Sequence, residues 1–361
     1  MIEMADIVQR YGHSYRHKYG KRMPASHLKA MQDIENCRTA TLGGQLFECS
    51  NCHELEYSYH SCMNRHCPKC QNDQAQQWLV KEQQRLLPVP YFLVTFTIPQ
   101  QLRRLARSHQ KLFYTILFQT SFQAMKKLAA DPKYIGGTIG CVAVLHSWSR
   151  TLAYHPHVHY LVPAGGLAGD HSKWIPASNK FFVPVKALSK IFRAMFRQAL
   201  KQADPKLFQS IPKTVWYQDW VVHCKQAGNG QSVLKYFAPY IFRIAISNNR
   251  LVKLQQNRVT FSYKNPQTNQ WDTMSLQVME FIRRFLQHVL PRGFKKVRHY
   301  GFLSSKNKPL LALLQYILGT VDFDPEEQPA DQPYAPVCPK CGKSMKRVMI
   351  LAPVRNRDSP I

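Results

Sequence analysis

The chain has 361 residues, 45% of them hydrophobic, which is enough apolar material for a buried core and two or three domains and excludes a disordered chain. Forty-nine Lys and Arg stand against 21 Asp and Glu, a formal net charge of +28; five of those acids (Asp322, Asp324, Glu326, Glu327, Asp331) crowd one stretch, so the remainder is a basic surface suited to nucleic acid. No apolar run approaches the roughly 18 residues that cross a bilayer, and Met1 to Arg22 is too charged for a signal peptide, so a cytoplasmic protein without a membrane partner is expected.

Residues 1 to about 35 read as basic helix, broken near Pro24, with Ser26 placed to cap a second helix. A cysteine-rich block runs from Cys37 to Cys70, and the polar, Gln-rich stretch Asn72 to Leu87 predicts a helix ended by Pro88. Tyr91 to Ile98, rich in β-branched and aromatic residues and stopped by Pro99, predicts a buried strand. A helical segment from about Gln101 to Ala130 ends at Pro132 and Gly136-Gly137. Gly140 to Ser147 and His155 to Val162 then predict an antiparallel pair of strands joined by a short polar connection.

Val185 to Gln202 is amphipathic and predicts a helix packed on the sheet. Trp216 to Cys224 predicts a strand, Gly228-Asn229-Gly230 a flexible loop, and Gln231 to Ile241 a helix bearing Tyr236 and Tyr240. Arg258 to Tyr263 and Trp271 to Leu276 predict a hairpin, and Ser275 caps a helix through Leu290. Pro291 to Arg298 reads as a basic loop suited to gripping phosphate, Pro325 to Pro336 as a linker, and Cys338-Pro339-Lys340-Cys341-Gly342 lies near the end. Mixed helices and antiparallel strands imply an α+β fold, one sheet faced by helices.

Ten cysteines in a reducing compartment point to metal chemistry before disulfides. Three Cys-x-x-Cys pairs occur, where random placement would give about 0.3. Cys49/Cys52 and Cys67/Cys70 suit one four-thiolate structural zinc, each pair forming a tight knuckle. Cys37, Cys62 and His66 remain for a second zinc, with His27, His53 or His60 as a fourth ligand. Cys338/Cys341 lacks an obvious partner pair and reads as a half-knuckle or as binding metal through another molecule; Cys141 and Cys224, on predicted strands, read as core.

Alternate side chains of a strand share a face, so His157 and His159 project together and can grip one divalent cation. Chance alone gives roughly 0.6 such His-x-His pairs here, so the pair takes its weight from its neighbours. His155, His223 and Gln231 are candidates for a third ligand. Tyr236 and Tyr240, one helical turn apart with a Pro239 kink between them, offer a nucleophile for phosphodiester cleavage assisted by that cation. A zinc hydrolase is disfavoured because His-Glu-x-x-His is missing.

Cys37-Arg38-Thr39 with Gly43-Gly44, Ser61-Cys62 through Arg65-His66-Cys67-Pro68-Lys69-Cys70-Gln71 and the His155–His159 strand come in one order along the chain. Tyr236 to Tyr240, Arg243 to Asn248, Pro291-Arg292-Gly293-Phe294 and Arg298-His299-Tyr300-Gly301 complete it. The set resembles the two-tyrosine HUH transposases of rolling-circle insertion sequences, the family numbered ninety-one. The resemblance implies an HUH endonuclease fold, in which a central antiparallel sheet carries the His-x-His strand and a helix presents the nucleophiles, with a small N-terminal zinc-binding domain.

It implies His157 and His159 as ligands of catalytic Mg2+ or Mn2+ and Tyr236 and Tyr240 as nucleophiles. Arg243, Arg292, Lys295, Lys296 and Arg298 are expected to contact DNA. Single-stranded DNA at a transposon end would be nicked, the 5′ phosphate held on tyrosine, and the end transferred to target DNA. The expected domains are 1–72 (basic helical segment and zinc-binding domain), 73–255 (catalytic), 256–320 (basic DNA-binding region) and 321–361 (acidic Pro-rich linker and Cys-x-x-Cys tail). A replication initiator or relaxase would share the chemistry. A zinc-dependent DNA-binding regulator would tolerate loss of both tyrosines, and a carboxylate-metal nuclease would need acids that are scarce in the central region.

Overall fold

The computed structural model describes residues 2–70, 78, 81–178, 182–229, 244–319 and 336–354. The chain divides into two compact units, each assembled from separated stretches: residues 1–73, 246–289 and 323–361 form one, and residues 74–245 and 290–322 the other. The stretch 256–320, expected as one region, is thus shared between them at Val289/Leu290. In chain order the strands are β1 (Gly44–Cys49), β2 (Leu55–Tyr59), β3 (Pro90–Thr97), β4 (Cys141–Trp148), β5 (Tyr154–Pro163), β6 (Gly165–Leu167) and β7 (Trp174–Pro176). They continue with β8 (Val222–Asn229), β9 (Leu251–Gln255), β10 (Arg258–Lys264), β11 (Trp271–Gln277), β12 (Val297–Tyr300) and β13 (Met345–Leu351).

In the first unit, helices Met4–Tyr19 and Ala25–Glu35 are broken where expected, because Pro24 has no amide to extend a helix and Met23 is extended. Pro24 itself occupies the N-cap position, so Ser26 falls in the first turn and is not the cap. Arg16 joins the two helices through a bidentate pair with Glu35 at 2.8 and 3.1 Å. Two three-stranded antiparallel sheets follow, ordered β13-β1-β2 and β11-β10-β9. The expected hairpin is β10/β11, and its helix starts at Val278 after Gln277, later than Ser275. Phe281 and Ile282 of that helix are buried, with Phe281 against Phe261 at 5.8 Å.

The second unit is built on a five-stranded antiparallel sheet ordered β12-β4-β5-β3-β8, which bears out the expected α+β class. Its helical segment begins as a single turn at Gln100–Leu102 and continues as helices Arg103–Ser108 and Gln110–Ala129. Strand alternation sends Phe92, Val94 and Phe96 of β3 and Val158, Tyr160 and Val162 of β5 to one face. There they pack with Phe118 of Gln110–Ala129 and Phe192 and Phe196 of Val185–Ala203. A phenylalanine buried this way contributes about 2–3 kcal/mol relative to exposure. The Tyr160 hydroxyl donates to the Phe118 carbonyl at 3.0 Å and lies 2.7 Å from Ser121 Oγ, so its burial leaves no polar atom stranded.

The opposite face is apolar at one end, where Leu93, Val142, Val144 and Leu161 meet Phe302, Leu303 and Leu314, and bears the histidines at the other. Three expectations need correction. Lys213–Trp216 is a short 3₁₀ turn, because Trp216 and Trp220 turn inward to stack at 5.8 Å, and the strand begins only at Val222. The strand also runs through Gly228 to Asn229, where a loop was expected. The basic loop from Pro291 ends in β12, which pairs with β4. β13, unanticipated from sequence, pairs with β1.

Candidate active site and metal centres

Register places three imidazoles together on the polar end of the sheet. His157 and His159 lie two apart on β5, and His146 of β4 is the cross-strand partner of His157. One nitrogen from each lies within 4.8 Å of the others, and the rings of His146 stand 4.9 Å from His159 and 5.5 Å from His157. His146 and His159 are buried, 3% and 8% exposed, so the donors sit below the surface. His146 also stacks on Trp148 at 4.7 Å.

The rings are held by their far nitrogens. His157 Nδ1 donates to the His155 carbonyl at 2.6 Å, which makes Nε2 the lone-pair nitrogen of the neutral ring. His159 Nδ1 lies 2.8 Å from Thr95 Oγ1, on the neighbouring strand β3 where Thr95 pairs with His159. Metal-binding histidines are commonly oriented by such outer contacts. Three imidazoles are a donor set for a divalent cation, and they hold transition metals more readily than Mg2+.

His155, His157, His159 and His223 line one cavity of 750 Å³. His155 lies ring to ring with His157 at 5.1 Å, and burial, with His157 and Arg103 nearby, pushes it down to about 3, so it is neutral at physiological pH. His223 stands on β8 opposite Thr95. Neither joins the close group, and Gln231 lies outside the described residues; the structure supplies His146 as the third imidazole. Counting across the expected strands would have put Leu145 opposite His157; the register shift between His146 and Trp148 brings His146 there instead.

Arg103 also lines this cavity, and its Nε is buried without a hydrogen-bond partner among the described residues. Burial lowers its pKa, yet a guanidinium remains charged. Nothing in the local sequence pattern around Arg103 marks it for the histidine pocket. Tyr236, Tyr240 and Arg243 lie outside the described residues.

A second cavity of 740 Å³ gathers Lys111, Arg292, Lys295 and Arg298, four of its basic side chains. Arg298 is partly committed to packing, its guanidinium 4.3 Å over the Phe118 ring and 5.1 Å over Phe294. Lys296 Nζ stands 5.2 Å over Trp148.

The cysteines form two groups of four, differently composed from the expected ones. Cys67/Cys70 join Cys37 and Cys62, and Cys49/Cys52 join Cys338 and Cys341, so the two N-terminal pairs fall in different groups; His66 belongs to neither. Cys49 ends β1, whose antiparallel pairing with β13 draws the C-terminal pair to it and away from Cys67/Cys70. In the first group Cys37 and Cys62 lie 3.5 and 3.6 Å from Cys70, and hydrogen bonds from Cys62 and then Cys67 push the Cys37 thiol well down. A zinc tetrahedron with bonds of about 2.3 Å has sulfur–sulfur edges of about 3.8 Å, close to these separations. In the second group the Lys343 amide brings Cys341 down to about 6.

Two family models and two curated relatives match this chain. A family model described as "Putative transposase" matches residues 140–309, and one described as "Transposase zinc-binding domain" matches residues 7–98. The "Putative transposase y4qJ" of Sinorhizobium fredii is 37% identical over 351 residues, covering 92% of this chain and 88% of the relative. The "Transposase for insertion sequence element IS801" of Pseudomonas savastanoi pv. phaseolicola is 28% identical over 290 residues, 75% of this chain and 68% of the relative. No solved structure matches.

Proposed function

The chain belongs to the transposases of insertion-sequence family ninety-one that carry an N-terminal zinc-binding domain, and from that premise we propose that it nicks and joins single-stranded DNA at transposon ends through a covalent 5′-phosphotyrosine. The observation that supports this chemistry is the cluster of His146, His157 and His159, of which His157 and His159 line a cavity that Arg103 also lines.

His146, His157 and His159 would hold Mg2+ or Mn2+, which when bound polarises the scissile phosphate and offsets charge on the leaving oxygen. Thr95 and the His155 carbonyl fix the rings of His159 and His157. Arg103 meets a non-bridging phosphate oxygen with a charge-assisted hydrogen bond. The hydroxyl of Tyr236 or Tyr240 loses its proton to solvent; its oxygen bonds to phosphorus as the bond to the 3′ oxygen breaks, and that oxygen takes up a proton. The phosphodiester energy is conserved in the phosphotyrosine, so a 3′ hydroxyl can reverse the step without ATP. A second tyrosine lets the transfer into target DNA proceed while the first end stays bound. The basic cavity of Arg292, Lys295 and Arg298, with Lys296 and Arg243, holds the strand by its phosphates.

The test uses 5′- and 3′-labelled single-stranded oligonucleotides containing the element's end, with and without Mn2+. An SDS-resistant adduct that carries the 3′ label, is joined to the 5′ phosphate of the fragment downstream of the cut, needs the metal and disappears in Tyr236→Phe/Tyr240→Phe is the expected result. An adduct that survives in the double variant would rule the tyrosines out. DNA binding with no adduct would favour a zinc-dependent regulator.

A further inference from the structure

We infer that Cys49, Cys52, Cys338 and Cys341 bind a second structural zinc ion, which clasps the C-terminal segment 336–354 onto the N-terminal zinc-binding region. The family zinc-binding match ends at residue 98, and half of this donor set lies beyond it. The inference is independent of the cleavage chemistry proposed above.

The first support is convergence of distant thiols. Cys49 lies 3.4 Å from Cys341, and Cys52 lies 3.6 Å from both Cys338 and Cys341, across separations of up to 292 residues. These gaps are far from the roughly 2.05 Å of a disulfide and near the edge of a four-sulfur tetrahedron.

The second is that the two pairs are built alike. In one, the His53 amide donates to the Cys49 carbonyl at 3.1 Å and the Cys49 amide to the Glu54 carbonyl at 2.9 Å. In the other, the Gly342 amide donates to the Cys338 carbonyl at 2.9 Å and the Cys338 amide to the Lys343 carbonyl at 2.8 Å. The residue after each second cysteine is left-handed, His53 at φ 55° and Gly342 at φ 73°. A glycine takes that conformation freely, whereas His53 adopts it at a cost that a tight metal knuckle offsets. Two matched knuckles facing each other are the architecture of a closed four-thiolate zinc site, which has no position left for substrate.

The third is the strand behind the knuckles. β13 pairs with β1 from Gly44↔Leu351 to Cys49↔Met345, so Phe47, Met345, Cys49 and Cys338 form a small common core. That core is small, and metal closure of so long a loop would add its constraint to the strand pairing.

The test is zinc content of the intact purified chain by elemental mass spectrometry, with thiol alkylation mapped by peptide mass. Two zinc ions per chain are expected, falling to one in Cys338→Ser/Cys341→Ser and also to one in Cys37→Ser/Cys62→Ser. Should the first variant fail to fold, the unmodified chain decides. Cys49, Cys52, Cys338 and Cys341 should resist iodoacetamide while zinc is bound and react together after EDTA. One zinc per chain, unchanged in Cys338→Ser/Cys341→Ser, or ready alkylation of Cys338 and Cys341 in the zinc-loaded chain, would overturn the clasp.

Discussion

Replacing His146 by alanine separates the metal reading from a purely structural one. His146 is 3% exposed and packs on Trp148 at 4.7 Å, so its removal costs the metal-free fold that stack, about 1 kcal/mol. For a unit of this size that amounts to a fall in Tm of about 2–4 °C. The cost to metal binding is larger. Loss of an outer contact to a metal-binding histidine typically weakens binding 10–100-fold, and loss of a ligand should reach at least the upper figure. A 100-fold rise in Kd is about 2.7 kcal/mol. The assay is Mn2+ titration of the zinc-loaded protein, with free Mn2+ followed by electron paramagnetic resonance; thiolate sites discriminate against Mn2+. His155→Ala is the control, since its ring neighbours His157 at 5.1 Å but stands outside the close group. If His146→Ala bound Mn2+ like the unmodified protein while His155→Ala lost it, the assignment of the third imidazole would be refuted.

Arg103→Ala should lower strand cleavage about 100-fold, the usual effect of deleting one preorganised charge-stabilising donor, with Mn2+ affinity unchanged; an equal loss in both assays would instead place Arg103 among the supports of the histidine cluster. Gly301 has φ 59°, and a Cβ there would lie 1.8 Å from the Ile139 carbonyl oxygen, so Gly301→Ala should cost about 3 kcal/mol of stability in thermal unfolding. A loss under about 1 kcal/mol would mean that the turn after β12 yields readily. Glu280 accepts from Arg283 at 2.6 and 2.8 Å and from Arg284 at 2.8 Å, and those bonds, Arg283 first, pull its carboxyl from 4.5 to about 2. A depressed carboxyl stabilises the fold above pH 4.5 and loses that contribution as pH falls toward 2. Solvent screening limits it to about 0.5–1 kcal/mol, so Glu280→Gln should cost that much at pH 7 and progressively less in denaturant melts between pH 4.5 and 2; a deficit that is independent of pH would argue against the ion pairs.

The sequence by itself determined whatever repeats over a few residues. β3 and β5 follow from β-branched and aromatic runs, and the shared face of His157 and His159 follows from the two-residue period of any strand. The helices around Pro24, the β10/β11 hairpin and the reading of Cys-x-x-Cys pairs as metal knuckles are equally local. Partnership between such pieces was decided only by the tertiary structure. Sequence proximity pairs Cys49/Cys52 with Cys67/Cys70, whereas β13 brings Cys338/Cys341 to the end of β1. His146 joined the histidines through a cross-strand register, and Arg103 through the way its helix abuts β5. The physical reason is that the entropy of closing a loop grows only as the logarithm of its length. A partner nearly 300 residues away therefore costs only about 2.6 kcal/mol more to recruit than one at fifteen, an amount that strand pairing and core packing can supply, and they make the choice.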